Sequence, residues 1–541
     1  MKKYIGILFV SSLLVLSLGC KDKKQSQDLQ RPNILFAISD DQSFPHTSFS
    51  GCTFVNTPAF DRIAREGVFF TNCMAGSPGC APSRSSIITG RYHWQNEQSG
   101  QHASSWLSKY IPFTDLLDKN GYACGLAGKG VDPFQYARDE KDTLWRKTNA
   151  AGIAHSSIQY KKGSDEDERT AGGIGPINYF ENFRYFMEEI RGDKPFFFWY
   201  GGKEPHRIYE KGSWKRLGMK LEDVEVPGFF PDNDEIRGDL LDYAVEIEWF
   251  DLHLQRMLEY LEEIGELENT IVIVTADNGM PFPRAKANCF EYGVHVPLAI
   301  RFPENYPGGR IVEDPVSFID LAPTILEITG TSDEGMLPIS GRSFLNTLKS
   351  KEEGLVDESM KYALSGRERH SSSRYLNWGY PQRAIRSKDF IYIWNMRPER
   401  WPAGAPQKYD PDDPEKLLPM YGLDENGKYI RQAAFTDIDD CPSKTFIIEN
   451  FEDEEIRPYF DLAHAKRPEY ELYDVKGDPF CLDNLAGKDE FSDVENELSQ
   501  ELMKVLTESE DPRVVGPDTE VFDSYLRYSP MRTFPKPGHS E

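Results

Sequence analysis

The sequence predicts an α/β fold, a large and mostly parallel sheet sandwiched between helices, followed by a smaller α+β C-terminal portion. Three observations carry this. Continuous apolar runs recur at Asn33–Ser39, Phe196–Tyr200 and Thr270–Ala276, as strands buried on both faces require. Segments with helical periodicity separate them, which is the alternation that builds parallel sheets. Around residues 345–360 the texture changes to shorter strands, proline-rich loops such as Arg397–Pro406, and an acidic stretch near Asp437–Glu455.

Taken in order, the chain begins with Lys2 and Lys3 before an apolar run from Ile5 to Leu18 that ends Ser17-Leu18-Gly19-Cys20. The run is too short for a membrane span and fits a signal peptide. A cysteine directly after a small residue predicts a bacterial lipoprotein: signal peptide 1–19, lipid on Cys20, and a polar tether over 20–31. Such a protein faces the periplasm or sits on the outer-membrane surface. Ser17 stands where leucine is usual, so plain secretion is the alternative.

The first strand, Asn33–Ser39, ends in Asp40-Asp41, and Thr57-Pro58 opens a helix to Glu66 with Gly67 as its stop. A helix at Phe113–Lys119 and a strand at Tyr122–Ala127 lead to Gly128-Lys129-Gly130. The charged segment Asp139–Thr170 reads as an excursion from the sheet. Helix Tyr179–Ile190 then delivers strand Phe196–Tyr200, which is followed by Glu204-Pro205-His206-Arg207. A long amphipathic helix, Arg237–Ile264, precedes strand Thr270–Ala276 and the string Asp277-Asn278-Gly279. Strand Val296–Arg301 and helix Phe318–Ile328 follow, giving a first domain over 32–350. A smaller domain over 351–541 carries strands Phe390–Trp394 and Tyr470–Tyr473 and completes the substrate pocket. No internal repeat is visible.

Composition sets bounds. With 62 Lys+Arg against 88 Asp+Glu, the net charge is −26, which opposes non-specific binding to nucleic acid or an anionic membrane surface. An anionic substrate therefore needs a locally basic pocket. Apart from Cys20 and Cys80, six cysteines (Cys52, Cys73, Cys124, Cys289, Cys441, Cys481) show no zinc-type spacing. An exported protein is able to pair some of them, and the sequence does not say which.

The polar residues Asp40, Asp41, Lys129, His206, Asp277 and Asn278 each follow an apolar strand. In open α/β sheets, ligands bind beyond the carboxyl ends of strands, so these distant positions are expected in one crevice. Asp40, Asp41, Asp277 and Asn278 offer hard oxygen donors, suited to calcium or magnesium rather than zinc. A helix cap and a turn would account for either pair alone.

One stretch organises the rest: Gly79-Cys80-Ala81-Pro82-Ser83-Arg84-Ser85-Ser86-Ile87-Ile88-Thr89-Gly90-Arg91. Pro82 marks a first helical turn and Gly90 a left-handed stop. Cys80 then lies at a helix N-terminus, with Arg84 one turn on along the same face. A buried thiol before an ordinary helix would account for Cys80 alone, but the whole string resembles the sulfatase signature, Cys-x-Pro-x-Arg running to Thr-Gly-Arg.

The resemblance implies an alkaline-phosphatase-like sandwich and a sulfuric ester hydrolase. It implies conversion of Cys80 to formylglycine by a formylglycine-generating maturation enzyme, the hydrated aldehyde being the nucleophile. It implies one divalent cation, calcium before magnesium, held by Asp40, Asp41, Asp277, Asn278 and the modified Cys80. Arg84, Lys129 and Lys286 match the family's basic positions, with Arg284 a rival to Lys286, and His206 is the expected acid for the leaving oxygen. The family commonly reads Gly-Lys-x-His at the lysine loop. Here Gly128-Lys129-Gly130-Val131-Asp132 lacks that histidine, leaving Asp132 and His102 as candidate substitutes.

Within the family the chain is most similar to the N-sulfoglucosamine sulfohydrolase branch, which includes bacterial polysaccharide sulfatases. The strings are Pro205-His206-Arg207, Asp277-Asn278-Gly279-Met280-Pro281-Phe282-Pro283 and Tyr380-Pro381-x-Arg383. The expected substrate is an oligosaccharide of a sulfated polysaccharide, ulvan or another algal polymer ahead of heparan-type glycans. His102, Arg369 and His370 are candidate sugar contacts. The alternatives are a heparan-type N-sulfoglucosamine sulfohydrolase, a glycan-binding lipoprotein without catalysis, and a phosphatase of the same superfold.

Overall fold

The computed structural model describes residues 31–136, 146–303 and 307–538; the expected signal peptide, Cys20 and the tether up to residue 30 lie outside them. An eight-stranded sheet stands at the centre. In chain order its strands are β1 (Asn33–Ser39), β2 (Val68–Phe70), β3 (Ala123–Gly128), β4 (Ile153–Ala154), β5 (Phe196–Gly201), β6 (Thr270–Ala276), β7 (Leu298–Arg301) and β8 (Arg310–Val312). Across the sheet they run β8-β2-β7-β6-β1-β5-β3-β4, and every pairing is parallel except those of β7.

Among the described residues, the helices that cover this sheet include α1 (Pro58–Glu66), α2 (Cys80–Thr89), α3 (Phe113–Lys119), α4 (Tyr179–Tyr185), α5 (Asp234–Glu263) and α6 (Leu321–Thr329). The central strand β1 is apolar throughout because it feeds two cores. Ile34, Phe36 and Ile38 pack with Ile87 and Ile88 of α2, Leu116 of α3 and Ile325 of α6. Leu35 and Ala37 point the other way, against Phe60 of α1, Phe183 of α4 and Leu254 of α5. Each fully buried large side chain of this kind contributes about 1.5–3 kcal/mol.

Two expectations needed revision. The segment 139–170 is not wholly an excursion, since Ile153–Ala154 pairs with β3 at the sheet edge. Helix α4 continues into a π-helical turn at Phe186–Ile190 instead of running as one α-helix. Within the expected mostly parallel sheet, strand β7 is antiparallel to both neighbours, an orientation that an apolar run cannot encode.

A second, antiparallel sheet follows the order β9 (Ala363–Arg367), β10 (Gln382–Arg386), β11 (Phe390–Asn395), β12 (Tyr470–Asp474). Its Leu364, Ile385, Tyr392 and Leu472 are covered by Leu498, Leu502 and Leu506 of α7 (Ser492–Glu508). Its Ala363, Ala384, Ile391, Ile393 and Tyr473 pack on Met74, Cys289, Phe290 and Val294. That apolar seam joins the second sheet to the stretch just after Lys286, and the chain from Pro32 onward forms one compact unit. Arg383 is fully buried here, ion-paired to Glu368 at 2.8 Å and Asp511 at 2.6 Å. The Tyr380-Pro381-x-Arg383 string is therefore a packing element. All seven described cysteines are unpaired. Among the described residues, no helix is long and apolar enough to cross a membrane.

Candidate active site

Strand register brings the polar residues together. Ser39 pairs with Ala276, Ile38 with Gly201, and Gly201 with Gly128, so four parallel strands end at one level. The residues that follow are Asp40-Asp41, Asp277-Asn278, Glu204 to His206, and Lys129. Backbone bonds hold the ends in place: Asp277 N–H donates to Ser39 O at 3.0 Å and Asp40 N–H to Glu204 O at 3.1 Å.

Helix α2 presents Cys80 to this edge. Gly79 is its extended N-cap, and Gly90 (φ 65°) closes it with an N–H bond to Ser86 O. Arg84, with no exposed surface, donates Nε to Asp277 Oδ2 at 2.7 Å and Nη1 to the carbonyls of Lys129 (2.8 Å) and Gly130 (3.1 Å). Its Nη2 has no protein partner. Ser83 Oγ donates to Asp277 O at 2.6 Å, which fixes the helix start against β6. Burial pushes the Cys80 thiol above its ordinary value, with Lys129 opposing. The unmodified sulfur is therefore protonated and a poor nucleophile.

Donor atoms of Asp40, Cys80 and Asp277 lie within 4.8 Å of one another, all buried. Asp40 Oδ1 and Asn278 Oδ1 are buried acceptors without a hydrogen bond, an expensive arrangement in a protein interior. Burial and then the charge of Asp40 push Asp277 above the usual carboxylate range. Unsatisfied oxygens and mutually repelling carboxylates are what a hard divalent cation relieves, so the donor set fits calcium or magnesium.

Two lysines reach the cradle. Lys129 Nζ donates to Asp40 Oδ2 at 2.6 Å, and Lys286 Nζ to Asp41 Oδ2 at 2.6 Å. Burial works against both ammoniums, but the carboxylates outweigh it and both are held above the ordinary lysine value. Lys286 also donates to Asp439 Oδ2 at 3.2 Å. The rival Arg284 turns away: it bonds Leu462 O and Cys481 O and stacks on Phe290.

His206 Nδ1 lies 2.7 Å from Arg207 O, and a carbonyl only accepts, so Nδ1 carries a proton. Nε2 is thereby turned to the site, 3.8 Å from Asp41 Oδ2, with the ring about one-third exposed (36%). Arg207 anchors this turn through a bidentate pair with Asp239 at 2.7 and 3.0 Å.

Of the three candidate sugar contacts, two border the site. His370 Nδ1 would stand only 2.9 Å from a Cβ on Gly79, so glycine is required beside Cys80 for this approach. Its ring lies 5.5 Å from that of His102, and burial holds His370 down to about 3. His102 is likewise pushed down, by burial and then by His370, Arg527, Lys129 and Lys286. Arg369 stands behind them: its Nε and Nη2 bond Gln101, and Nη2 also reaches Ser104. It supports the His102 loop instead of facing the crevice. Asp132 likewise accepts from Gly130 N and Asn149 Nδ2, bracing the lysine loop.

Sequence reasoning missed Asp439 and Asp437. Asp439 is held below the usual range; burial opposes, but Lys286, His206 and His370 outweigh it. Asp437 accepts from Arg367, is ion-paired to Arg374, and exerts its charge on His370. Both sit in the acidic stretch that composition alone marks as solvated surface.

An α/β sandwich whose strand ends gather a helix-start cysteine, an arginine, two lysines, a histidine and hard oxygen donors is a hydrolase built for anionic esters. The sequence matches the model of the Sulfatase family over residues 32–331. The chain belongs to that family and is a hydrolase of sulfate esters. It is similar to an ulvan-active sulfatase of Formosa agariphila, 26% identical over 561 residues, spanning 96% of this chain and 83% of that one. It is also similar to N-sulphoglucosamine sulphohydrolase of Homo sapiens, 25% identical over 529 residues, 90% of this chain and 92% of that one. A solved structure described as in complex with its substrate D-glucosamine-2-N,6-O-disulfate shares the fold. Its TM-score is 0.59 at 20% identity, covering 89% of this chain and 99% of that one.

Proposed function

We propose that this sulfatase releases sulfate from oligosaccharides of a sulfated polysaccharide, with an algal polymer such as ulvan ahead of heparan-type glycans. The carrying observation is the grouping of Cys80 with Arg84, Lys129, Lys286 and His206 at one sheet edge. The substrate class rests on the relatives: ulvan-active sulfatases recur among them, beside the human sulphohydrolase.

The Cys80 Sγ stands in for the hydroxyls of a hydrated formylglycine made by a maturation enzyme. Asp40, Asp41, Asp277 and Asn278 would hold a calcium ion, which would supply positive charge to the sulfate oxygens. Arg84, through its free Nη2, orients the attacking hydroxyl at residue 80. That oxygen gives its proton to the Asp277 carboxylate, within 4.8 Å of the Cys80 sulfur, and bonds to sulfur as the bond from sulfur to the sugar oxygen breaks; His206, acting as the imidazolium with Nδ1–H held by Arg207 O, gives its Nε2 proton to the departing oxygen. Lys129 and Lys286 balance the charge that gathers on the sulfuryl group. The second hydroxyl at residue 80 then gives its proton to the neutral His102, its C–O bond becomes the aldehyde carbonyl, and the bond from that carbon to the sulfate oxygen breaks, so that sulfate leaves. His102, beside Lys129, takes the place of the absent lysine-loop histidine. The chain works as an exported lipoprotein anchored through Cys20.

The test is sulfate release by protein co-expressed with a maturation enzyme, on lyase-cut ulvan oligosaccharides and heparin oligosaccharides in parallel. Release from ulvan alone supports the reading. Release from heparin alone replaces it with the sulfohydrolase of the human relative. No release, with Cys80 intact by peptide mass, leaves the glycan-binding alternative.

A further inference from the structure

The crevice does not stop at the sulfate chemistry. A cleft of about 290 Å³ beside Asp40, Lys129 and His206 continues to Lys203, Glu204 and Glu246, bordered by Gly173 and Gly175. Glu204 is already engaged: Oε1 accepts from Gly175 N–H at 3.0 Å and Oε2 from the Tyr179 hydroxyl at 2.7 Å. Glu246, projecting from α5, is not. It is 1% exposed, and its Oε1 has no hydrogen-bond partner. A buried carboxyl oxygen left without a partner is costly, so its place on the wall of a reactive cleft asks for a ligand.

The surroundings decide which ligand. Burial, followed by Glu204 and Asp242, raises Glu246 well above the usual carboxyl range, which favours the protonated form with its O–H donor and carbonyl acceptor. A hydroxyl group, itself donor and acceptor, complements that pair. A carboxylate or sulfate there would face the Glu204 carboxyl. Only glycine fits against this carboxyl at position 173: a Cβ there would stand 2.8 Å from Glu246 Oε1 and 2.6 Å from Ile208 O.

We propose that Glu246 is a specificity-determining residue whose carboxyl hydrogen-bonds a neutral ring hydroxyl of the sugar that carries the scissile sulfate. The proposal rests on the carbohydrate-sulfatase reading above. It is tested with Glu246→Leu, which keeps the bulk and loses the polar atoms, and Glu246→Gln, which keeps a donor and an acceptor. The readout is the ratio of kcat/KM on the oligosaccharide to kcat/KM on p-nitrophenyl sulfate, which has no ring hydroxyl.

The expected result is a fall of about tenfold in this ratio for Glu246→Leu, the worth of one hydrogen bond in a water-poor cleft, with Glu246→Gln within threefold of the parent. A ratio unchanged in Glu246→Leu overturns the proposal. So does a Gln variant as impaired as Leu, because the group would then be a charge partner. Calorimetric binding of both oligosaccharide sets to Cys80→Ser protein, with and without Glu246→Leu, separates the two claims. If the matured parent releases no sulfate, the carbohydrate-sulfatase reading fails, while equal affinities in the two Cys80→Ser proteins, or no binding by either, overturn the role of Glu246.

Discussion

Removing divalent cations should destabilise the folded chain by an amount that the structure sets. Asp40 Oδ1 and Asn278 Oδ1 are both buried without a hydrogen bond. At about 1–3 kcal/mol for each unsatisfied acceptor, filling the cradle stabilises the fold by about 2–6 kcal/mol. Unfolding entropy of about 2.1 cal/mol/K per residue makes one degree worth about 1 kcal/mol in a chain of this length. Tm by scanning calorimetry should therefore rise by about 2–6 °C when saturating calcium replaces EDTA. Magnesium at equal concentration should give a smaller rise, because it demands near-octahedral geometry and dehydrates reluctantly. Asn278→Leu deletes one of the two orphaned oxygens, and the calcium-induced rise should shrink by at least half. Equal Tm in EDTA and calcium, within 1 °C, would refute the reasoning, as would an undiminished rise in Asn278→Leu.

Other perturbations have separate signatures. His206→Ala should lower kcat by about 10²–10⁴-fold on a sugar sulfate and far less on p-nitrophenyl sulfate, whose phenolate departs without a proton; equal losses would remove His206 from the acid role. Arg383→Ala leaves Glu368 without one of its two arginine partners, Arg513 being the other, and leaves Asp511 without its ion pair. Denaturant melts should show a loss of about 3–5 kcal/mol, and a loss under 1 kcal/mol would deny the pair its structural weight. His464 is buried between Phe435 and Phe460, and burial holds it down to about 3 against 6.5. Between those pH values the unfolded chain binds a proton that the folded one refuses, so this residue costs stability as pH falls below 6.5. Wild type should lose about 1.4 kcal/mol per pH unit relative to His464→Phe in paired melts from pH 6.5 to 4, and a constant difference would contradict the assignment.

The elements most legible in the sequence were those whose environment is uniform. Strands β1, β5 and β6 are buried on both faces, so their apolar runs announce them whatever their neighbours. Helix α2 carries its own boundary at Gly90, where a left-handed residue ends the turn, and its own chemistry in the spacing of Cys80 and Arg84. Asp40, Asp41, Asp277 and Asn278 were legible because each follows such a strand. Less legible were Ile153–Ala154, two exposed residues paired only at an edge, and the direction of β7, which no local pattern encodes.

What the sequence determined by itself was the class of chemistry: a helix-start cysteine with its arginine, hard oxygen donors after buried strands, and a basic set to meet an anion. These depend on residue type and near neighbours along the chain. Only the tertiary structure decided which charges meet. It turned Lys286 into the site and Arg284 away from it into the interior beside Phe290, placed His370 against Gly79, and set Arg369 behind the His102 loop. It also brought Asp439 to Lys286 across 153 residues of chain. An acidic loop looks the same in sequence whether it faces water or a buried ammonium. Ala434, Phe435 and Ile438 pack with Leu240 and Leu241 of α5 and with Phe282, and that long-range packing carries this loop to the strand ends.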